Sequence, residues 1–227
     1  MRGAGYGHGV PEGMDNETVR RFHELYFGSR VWARGRTTWL GVPVLKCPLD
    51  MWVYQEILWS RQPDVVIETG TCQGGSALFM AQVFDRIGSG RVVTVDLESP
   101  QAPPAHPRIT YLSGSSTAPR TVAAVREAIT GTGEVMVILD SDHARDHVLD
   151  ELRLYAPLVT PGQYLIVEDT NLNGHPVGLE HGPGPKEALA HYLDNEGGAD
   201  EFEVDAECER LLMTFNPGGF LVRQARP

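Results

Sequence analysis

Carboxylates recur at the ends of short apolar runs along this chain. Val65-Val66-Ile67 runs into Glu68, Arg91–Val95 into Asp96, Val135–Leu139 into Asp140, and Tyr164–Val167 into Glu168-Asp169. Like charges gathered at one rim repel unless a cation lies between them, so the pattern points to ligand chemistry. Asp140 with the Glu168-Asp169 pair makes a hard-oxygen set, suited to magnesium, calcium or manganese and unsuited to copper or zinc. His143 follows Asp140 by three residues, and an imidazole there can take a proton near neutral pH. A second signal starts at Glu68, in the run Glu68-Thr69-Gly70-Thr71-Cys72-Gln73-Gly74-Gly75-Ser76. Its glycines allow a sharp turn and a close approach to a ligand at a helix N-terminus. It is neither GxGxxG nor a GKS/GKT phosphate loop.

The elements that must position these residues are legible. The apolar runs, with another at Ile109–Leu112, alternate with helical stretches at Gly75–Ile87, Pro119–Ile129, Arg145–Tyr155 and Pro185–Asn195. Short, near-continuously apolar strands separated by helices predict a parallel sheet covered on both faces, a doubly wound α/β domain. In such sheets ligands bind beyond the carboxyl ends of the strands, at the switch point in strand order. The acids, and Gly114-Ser115 after the third strand, are predicted to lie there.

Two helices precede this core, one from Asp15 to Tyr26 capped by Asp15 or Asn16, the other from Pro48 to Trp59. Residues 1–62 therefore read as an N-terminal helical extension or lid, and 63–227 as the core, within one globular domain. Trp32, Trp39, Trp52 and Trp59 are expected mostly to pack inside. The tail differs: Phe202–Val204, Leu211–Phe215 and Phe220–Val222 have no helix between them. A turn at Asn216–Gly219 predicts an antiparallel hairpin at a sheet edge.

Composition narrows the function classes. The chain has 227 residues, 19 Lys+Arg against 30 Asp+Glu and a net charge of −11. This acidic balance argues against nucleic acid and anionic membrane as partners. No apolar run reaches the ~18–20 residues of a membrane helix, and no secretory leader is evident. Cys47, Cys72 and Cys208 are an odd set without CxxC spacing, as expected of reduced thiols in cytoplasm.

The glycine run, E-x-G-x-x-x-G-G-S, with Asp96 placed 28 residues after Glu68, resembles the first motif of class I S-adenosylmethionine-dependent methyltransferases. The resemblance implies that Asp96 accepts hydrogen bonds from the ribose hydroxyls. It implies that the loop glycines Gly70, Gly74 and Gly75, with Thr71 among them, admit the methionine moiety, with Ser76 at the helix start and Glu68 near the methionine or its ammonium. Gly114 and Ser115 would hold the adenine, and Asp140 would border both cofactor and metal. Ser116 reads instead as the N-cap of the helix at Pro119.

The run Asp140-Ser141-Asp142-His143 with Glu168-Asp169 is similar to metal-dependent sugar and natural-product O-methyltransferases, a group that includes proteins labelled "cephalosporin hydroxylase". Trp39-Leu40-Gly41, Lys46-Cys47-Pro48, Asn173-Gly174-His175-Pro176 and Phe215-Asn216-Pro217-Gly218-Gly219 extend the similarity from Trp39 to Arg223. It implies Asp140, Glu168 and Asp169 as metal ligands, His143 as general base, and His175 as a residue that meets a substrate hydroxyl. Asp142 is the alternative to Asp140, which is favoured because it directly ends the strand. His147 reads as a helix-surface residue.

The implied activity is magnesium-assisted methyl transfer from S-adenosylmethionine to a hydroxyl of a sugar or other secondary metabolite, glycosylated or polyketide-like. A homo-oligomer is compatible with it. One alternative is an S-adenosylmethionine-binding protein without methyl transfer, either a partner subunit or a non-methylating enzyme. An oxygenase, as the label suggests, is disfavoured because non-haem iron sites use two histidines and a carboxylate. A nicotinamide dehydrogenase is disfavoured by the missing GxGxxG.

Overall fold

The computed structural model describes residues 16–33, 36–98 and 100–225. In chain order the elements are α1 (Asn16–Ser29), a two-strand hairpin of β1 (Thr38–Trp39) and β2 (Val42–Pro43), α2 (Pro48–Arg61), β3 (Val65–Thr69) and α3 (Gly75–Ile87). β4 (Arg91–Asp96), β5 (Ile109–Ser113), α4 (Pro119–Ala128), β6 (Val135–Leu139), α5 (Arg145–Tyr155) and β7 (Tyr164–Val167) follow. The chain closes with α6 (Pro185–Asn195), a short α7 (Gly198–Glu201), β8 (Phe202–Val204) and β9 (Phe220–Arg223). Proline stands in the first turn of α2, α4 and α6, where its missing N–H costs no hydrogen bond.

The main sheet runs β5-β4-β3-β6-β7-β9-β8. β3 to β7 pair in parallel, whereas β9 is antiparallel to both β7 and β8. β3 and β6 are buried along their whole length, as central strands covered on both faces must be. One face packs Val122, Leu149, Leu152, Tyr155 and Leu189 against the sheet. The other packs Tyr54, Leu58, Phe79, Met80 and Phe84. This is the doubly wound, mostly parallel fold the sequence predicted.

Several details differ from the sequence reading. Leu211–Phe215 is not a strand. Its backbone is taken up elsewhere, Phe215 N donating to Asp50 Oδ2 at 2.9 Å and Phe215 O accepting from Asn171 N at 3.1 Å. The antiparallel edge is formed by β8 with β9, joined through a helical turn at Ala206–Glu209. Trp52 and Trp59 are each 59% exposed, because α2 turns Met51, Val53, Tyr54, Ile57 and Leu58 inward instead. Those α2 residues share a cluster with Val66, Met136 and Ile138 of the sheet. The expected cap of α1 at Asp15 lies outside the described residues.

α1 packs elsewhere. Its Tyr26 and Phe27, with Trp32, surround Phe215 and Met213 in a small separate cluster. His23 stacks on Phe215 at 5.6 Å between ring centroids, and its Nε2 lies 3.0 Å from Asn171 Nδ2. The helix thus sits over the segment that follows β7.

Candidate active site

The chain runs from β3 outward through β4 to β5, then returns to place β6 on the other side of β3. The switch point therefore lies between the ends of β3 and β6. The glycine loop leaves the first of these strands and Asp140 ends the second. They touch: Asp140 N donates to Thr69 O at 3.1 Å. Gly70 adopts φ +92, and a Cβ there would lie 1.7 Å from Asp140 O. Only glycine fits this contact.

A cavity of about 710 Å³ opens at this point. Gly70, Cys72, Asp96, Ser115 and Ser116 line one end, and Asp140, His143, Asp169 and His181 line the other. Phe27 and Trp32 reach it from the α1 side. Asp96 accepts from Cys72 N and Leu97 N, both at 2.7 Å, so the carboxylate also pins the glycine loop.

Glu68 lies beneath the loop with no exposed surface. Its Oε2 accepts from Thr94, whose hydroxyl is 2.7 Å from that of Thr71. Burial raises the Glu68 pKa, opposed by the Lys46 charge and by bonds from Ser76 and Thr94. Glu68, Thr71 and Thr94 thus form a buried support under the loop, with the half-buried Ser76 beside them. Gly74 precedes α3, while Gly75 is pressed against Pro43 O. Gly114 lies beside Thr121, at the end of β5.

The other end is charged. Donor atoms of Asp140, His143 and Asp169 lie within 4.8 Å of one another, and His143 Nε2 is 3.3 Å from Asp169 Oδ2. Asp169 has a left-handed backbone at φ 55. Its N–H is held at 3.0 Å by Oδ1 of the fully buried Asn216, whose Nδ2 donates to Tyr54 OH at 2.9 Å. Glu168, 6% exposed, is not in that three-residue group. Its Oε1 is 2.5 Å from the Lys46 ammonium, which also lies 2.6 Å from Asp140 Oδ2.

Burial, reinforced by the Asp140 charge, raises the Glu168 pKa to about 7, with Lys46 and Tyr54 opposing. Burial likewise raises Asp140 and Asp169. His143 is pushed down by burial but more strongly up by Asp169, Asp140, Glu168 and Asp142, so its proton affinity rises. Three carboxylates at this end thus gather around two basic groups, the Lys46 ammonium and the His143 ring.

Of three further residues, Asp142 follows the favoured reading, whereas His147 and Ser116 depart from theirs. Asp142 accepts from Ala144 N at 2.8 Å at the head of α5, leaving Asp140 as the aspartate in the cluster. His147 is not a bare surface residue. Its Nε2 is 3.0 Å from Ser116 Oγ and 3.1 Å from Ser141 Oγ, and Ser141 donates to Glu151 at 2.7 Å. Ser116 consequently caps no helix: α4 is preceded by Ala118, without a side-chain cap. The one available signal was the i, i+4 spacing of His147 and Glu151.

His175 sits apart from the cluster. Its Nε2 is 2.9 Å from Glu187 Oε1, and Glu187 also accepts from Asn173 at 2.9 Å and from Gly184 N at 2.7 Å. These bonds overcome the effect of burial and hold the Glu187 carboxyl near pKa 2. They clasp the loop after β7 to the start of α6.

A doubly wound sheet with an antiparallel end and a switch-point cavity between a glycine loop and an acidic strand end is the class I methyltransferase fold. Solved structures share it: a CmcI structure described with Mg and SAM has a TM-score of 0.64 at 22% identity over 84% of this chain and 77% of that one. The MycE methyltransferase of mycinamycin biosynthesis, in complex with Mg, SAH and mycinamycin VI, has a TM-score of 0.55 at 19% identity over 76% of this chain and 48% of that one. Residues 31–224 match the sequence model of the family described as Rhamnosyl O-methyltransferase/CmcI. The rhamnosyl O-methyltransferase of Mycobacterium leprae (strain TN) is 43% identical over 210 residues, 91% of this chain and 90% of that protein. The chain belongs to this family, and it is an S-adenosylmethionine-dependent O-methyltransferase.

Proposed function

We propose that this enzyme methylates a sugar hydroxyl on a glycosylated metabolite, with S-adenosylmethionine lying across the glycine loop and a divalent cation at the acidic end. The observation that carries this reading is the meeting of Gly70 with Asp140, which puts the two ends of one cavity in contact. The named relative acts on a rhamnosyl group, and the CmcI and MycE structures hold magnesium. Unpaired cysteines, two of them buried, suit a reducing compartment such as cytoplasm. Among the described residues no helix is long and apolar enough to cross a membrane.

The residues fit a hard cation. Asp140 and Asp169 supply carboxylate oxygens within 4.8 Å of each other and of the His143 ring, the donor chemistry magnesium or manganese accepts. Glu168, next to Asp169 and bonded to Lys46, completes the proposed set of Asp140, Glu168 and Asp169. When bound, such an ion makes a coordinated hydroxyl more acidic and orients it.

In this reading Asp96 accepts from the ribose, Gly70 borders the methionine side in a loop shaped by Thr71, Gly74, Gly75 and Ser76, and Gly114-Ser115 border the adenine. His143, on the cavity wall, accepts the hydroxyl proton at Nε2. The freed oxygen attacks the sulfonium methyl carbon, the carbon–sulfur bond breaks, and S-adenosylhomocysteine and a methyl ether result. Holding both reactants in line accounts for most of the acceleration.

The test offers the full-length protein S-adenosylmethionine and magnesium with rhamnosides, other deoxysugar glycosides and simple phenols, with products read by mass spectrometry. Methylation of a glycosidic sugar hydroxyl supports the proposal. Methylation of phenols alone overturns the acceptor class. Cofactor binding without any product favours the non-methylating alternative.

A further inference from the structure

The acidic end contains a cation of its own. Lys46 lies in the loop between β2 and α2 and is 4% exposed. Its ammonium bridges the ends of β6 and β7, 2.6 Å from Asp140 Oδ2 and 2.5 Å from Glu168 Oε1. An ammonium this deep is stable only when well paired, and the same holds for the carboxylates facing it. Asp140, Glu168 and Asp169 together carry three negative charges when ionised. Lys46 balances one and the His143 ring faces another at 3.3 Å, so negative charge remains to attract a cation. Each bridged carboxylate gives one oxygen to Lys46, so the bridge does not use up either group.

We propose that Lys46 is the resident counter-ion of the cation site. As a positioning residue it holds Asp140 and Glu168 in place in the metal-free protein and sets the charge left for the ion. This inference rests on reading the acidic end as a divalent-cation site.

The test is thermal unfolding of the full-length wild type, Lys46→Met, Lys46→Arg and the double variant Lys46→Met/Glu168→Gln, each in EDTA and in magnesium chloride, with magnesium binding followed by calorimetry. Removing one partner of a buried pair should lower the Tm of Lys46→Met in EDTA by about 6 °C or more. Magnesium should recover most of that loss, so its stabilising shift is larger in Lys46→Met than in wild type. Lys46→Arg should show the wild-type shift. The double variant should regain part of that stability in EDTA, because Glu168, the more deeply buried of the two bridged carboxylates, then carries no charge. A Tm loss equal in EDTA and magnesium, or a magnesium shift no larger than that of wild type, would make Lys46 a space-filling residue and overturn the proposal.

If wild type shows neither a shift nor heat with magnesium or manganese, the cation-site reading fails by itself. The counter-ion role is then decided in EDTA alone: recovery by the double variant supports it, and no recovery overturns it. If Lys46→Met does not fold, Lys46→Arg and the double variant supply the same decision.

Discussion

The two ends of the cavity are built by opposite means. At the glycine-loop end, Asp96 is satisfied by nearby backbone amides of Cys72 and Leu97, and the shape comes from backbone contact such as that of Gly70 with Asp140 O. At the acidic end, side chains from distant segments meet, and Lys46 reaches partners 94 and 122 residues away. The first end is a rigid mould for a ligand that arrives whole. The second is electrostatic: carboxylates whose proton affinity is raised by burial gather around Lys46 and His143. Binding and chemistry should therefore be separable by substitution.

The largest effect should come from the acidic end. Asp140→Asn or Asp169→Asn is expected to lower methyl transfer by about 10³-fold or more, equivalent to about 4 kcal/mol, while S-adenosylmethionine affinity by calorimetry stays within about 3-fold. A parallel loss of cofactor binding would erase the distinction between the ends.

His23 sharpens the comparison through pH, because it latches α1 over Asn171, just beyond the acid pair. Burial lowers its pKa to about 4. The folded state thus prefers the neutral ring, and the stability it contributes is present above about pH 6.5 and lost as pH falls through about 4. The total is on the order of 3 kcal/mol. Urea midpoints measured between pH 7 and 5 should fall in wild type and stay flatter in His23→Gln.

Asp96→Ala should weaken S-adenosylmethionine binding about 10-fold, or about 1.4 kcal/mol, without altering the magnesium-induced Tm shift. A change in that shift would mean that the ends communicate. The smallest effect is expected at the clasp: Glu187→Ala removes the acceptor for Gly184 N and should cost about 1 kcal/mol, read as a Tm lower by about 2–4 °C. If His175 serves the acceptor, KM should rise in His175→Ala even where the Tm matches that of Glu187→Ala. A purely structural clasp leaves KM unchanged.

What could be read in advance follows the same division. The runs 135–139 and 164–167 and the helices at Gly75–Ile87, Arg145–Tyr155 and Pro185–Asn195 appear with the predicted bounds, because apolar continuity and helix-starting prolines act locally. Asp96, Asp140 and Glu168-Asp169 were visible as site candidates because a strand end in a parallel sheet has one destination, the carboxyl rim. Lys46 was visible only as part of a motif, and His147 was misplaced. The neighbours that define them lie on other elements.

The sequence alone determined the alternation of strands and helices, the carboxylates at their junctions, and the class of enzyme those features resemble. Tertiary structure alone decided that Lys46 enters the acid cluster, that Tyr54 and Asn216 fix the backbone of Asp169, and that residues 211–215 support α1 instead of pairing as a strand. The reason is physical: strand order and packing bring together groups whose local sequences carry no trace of one another, and a buried charge is specified by its partners in space.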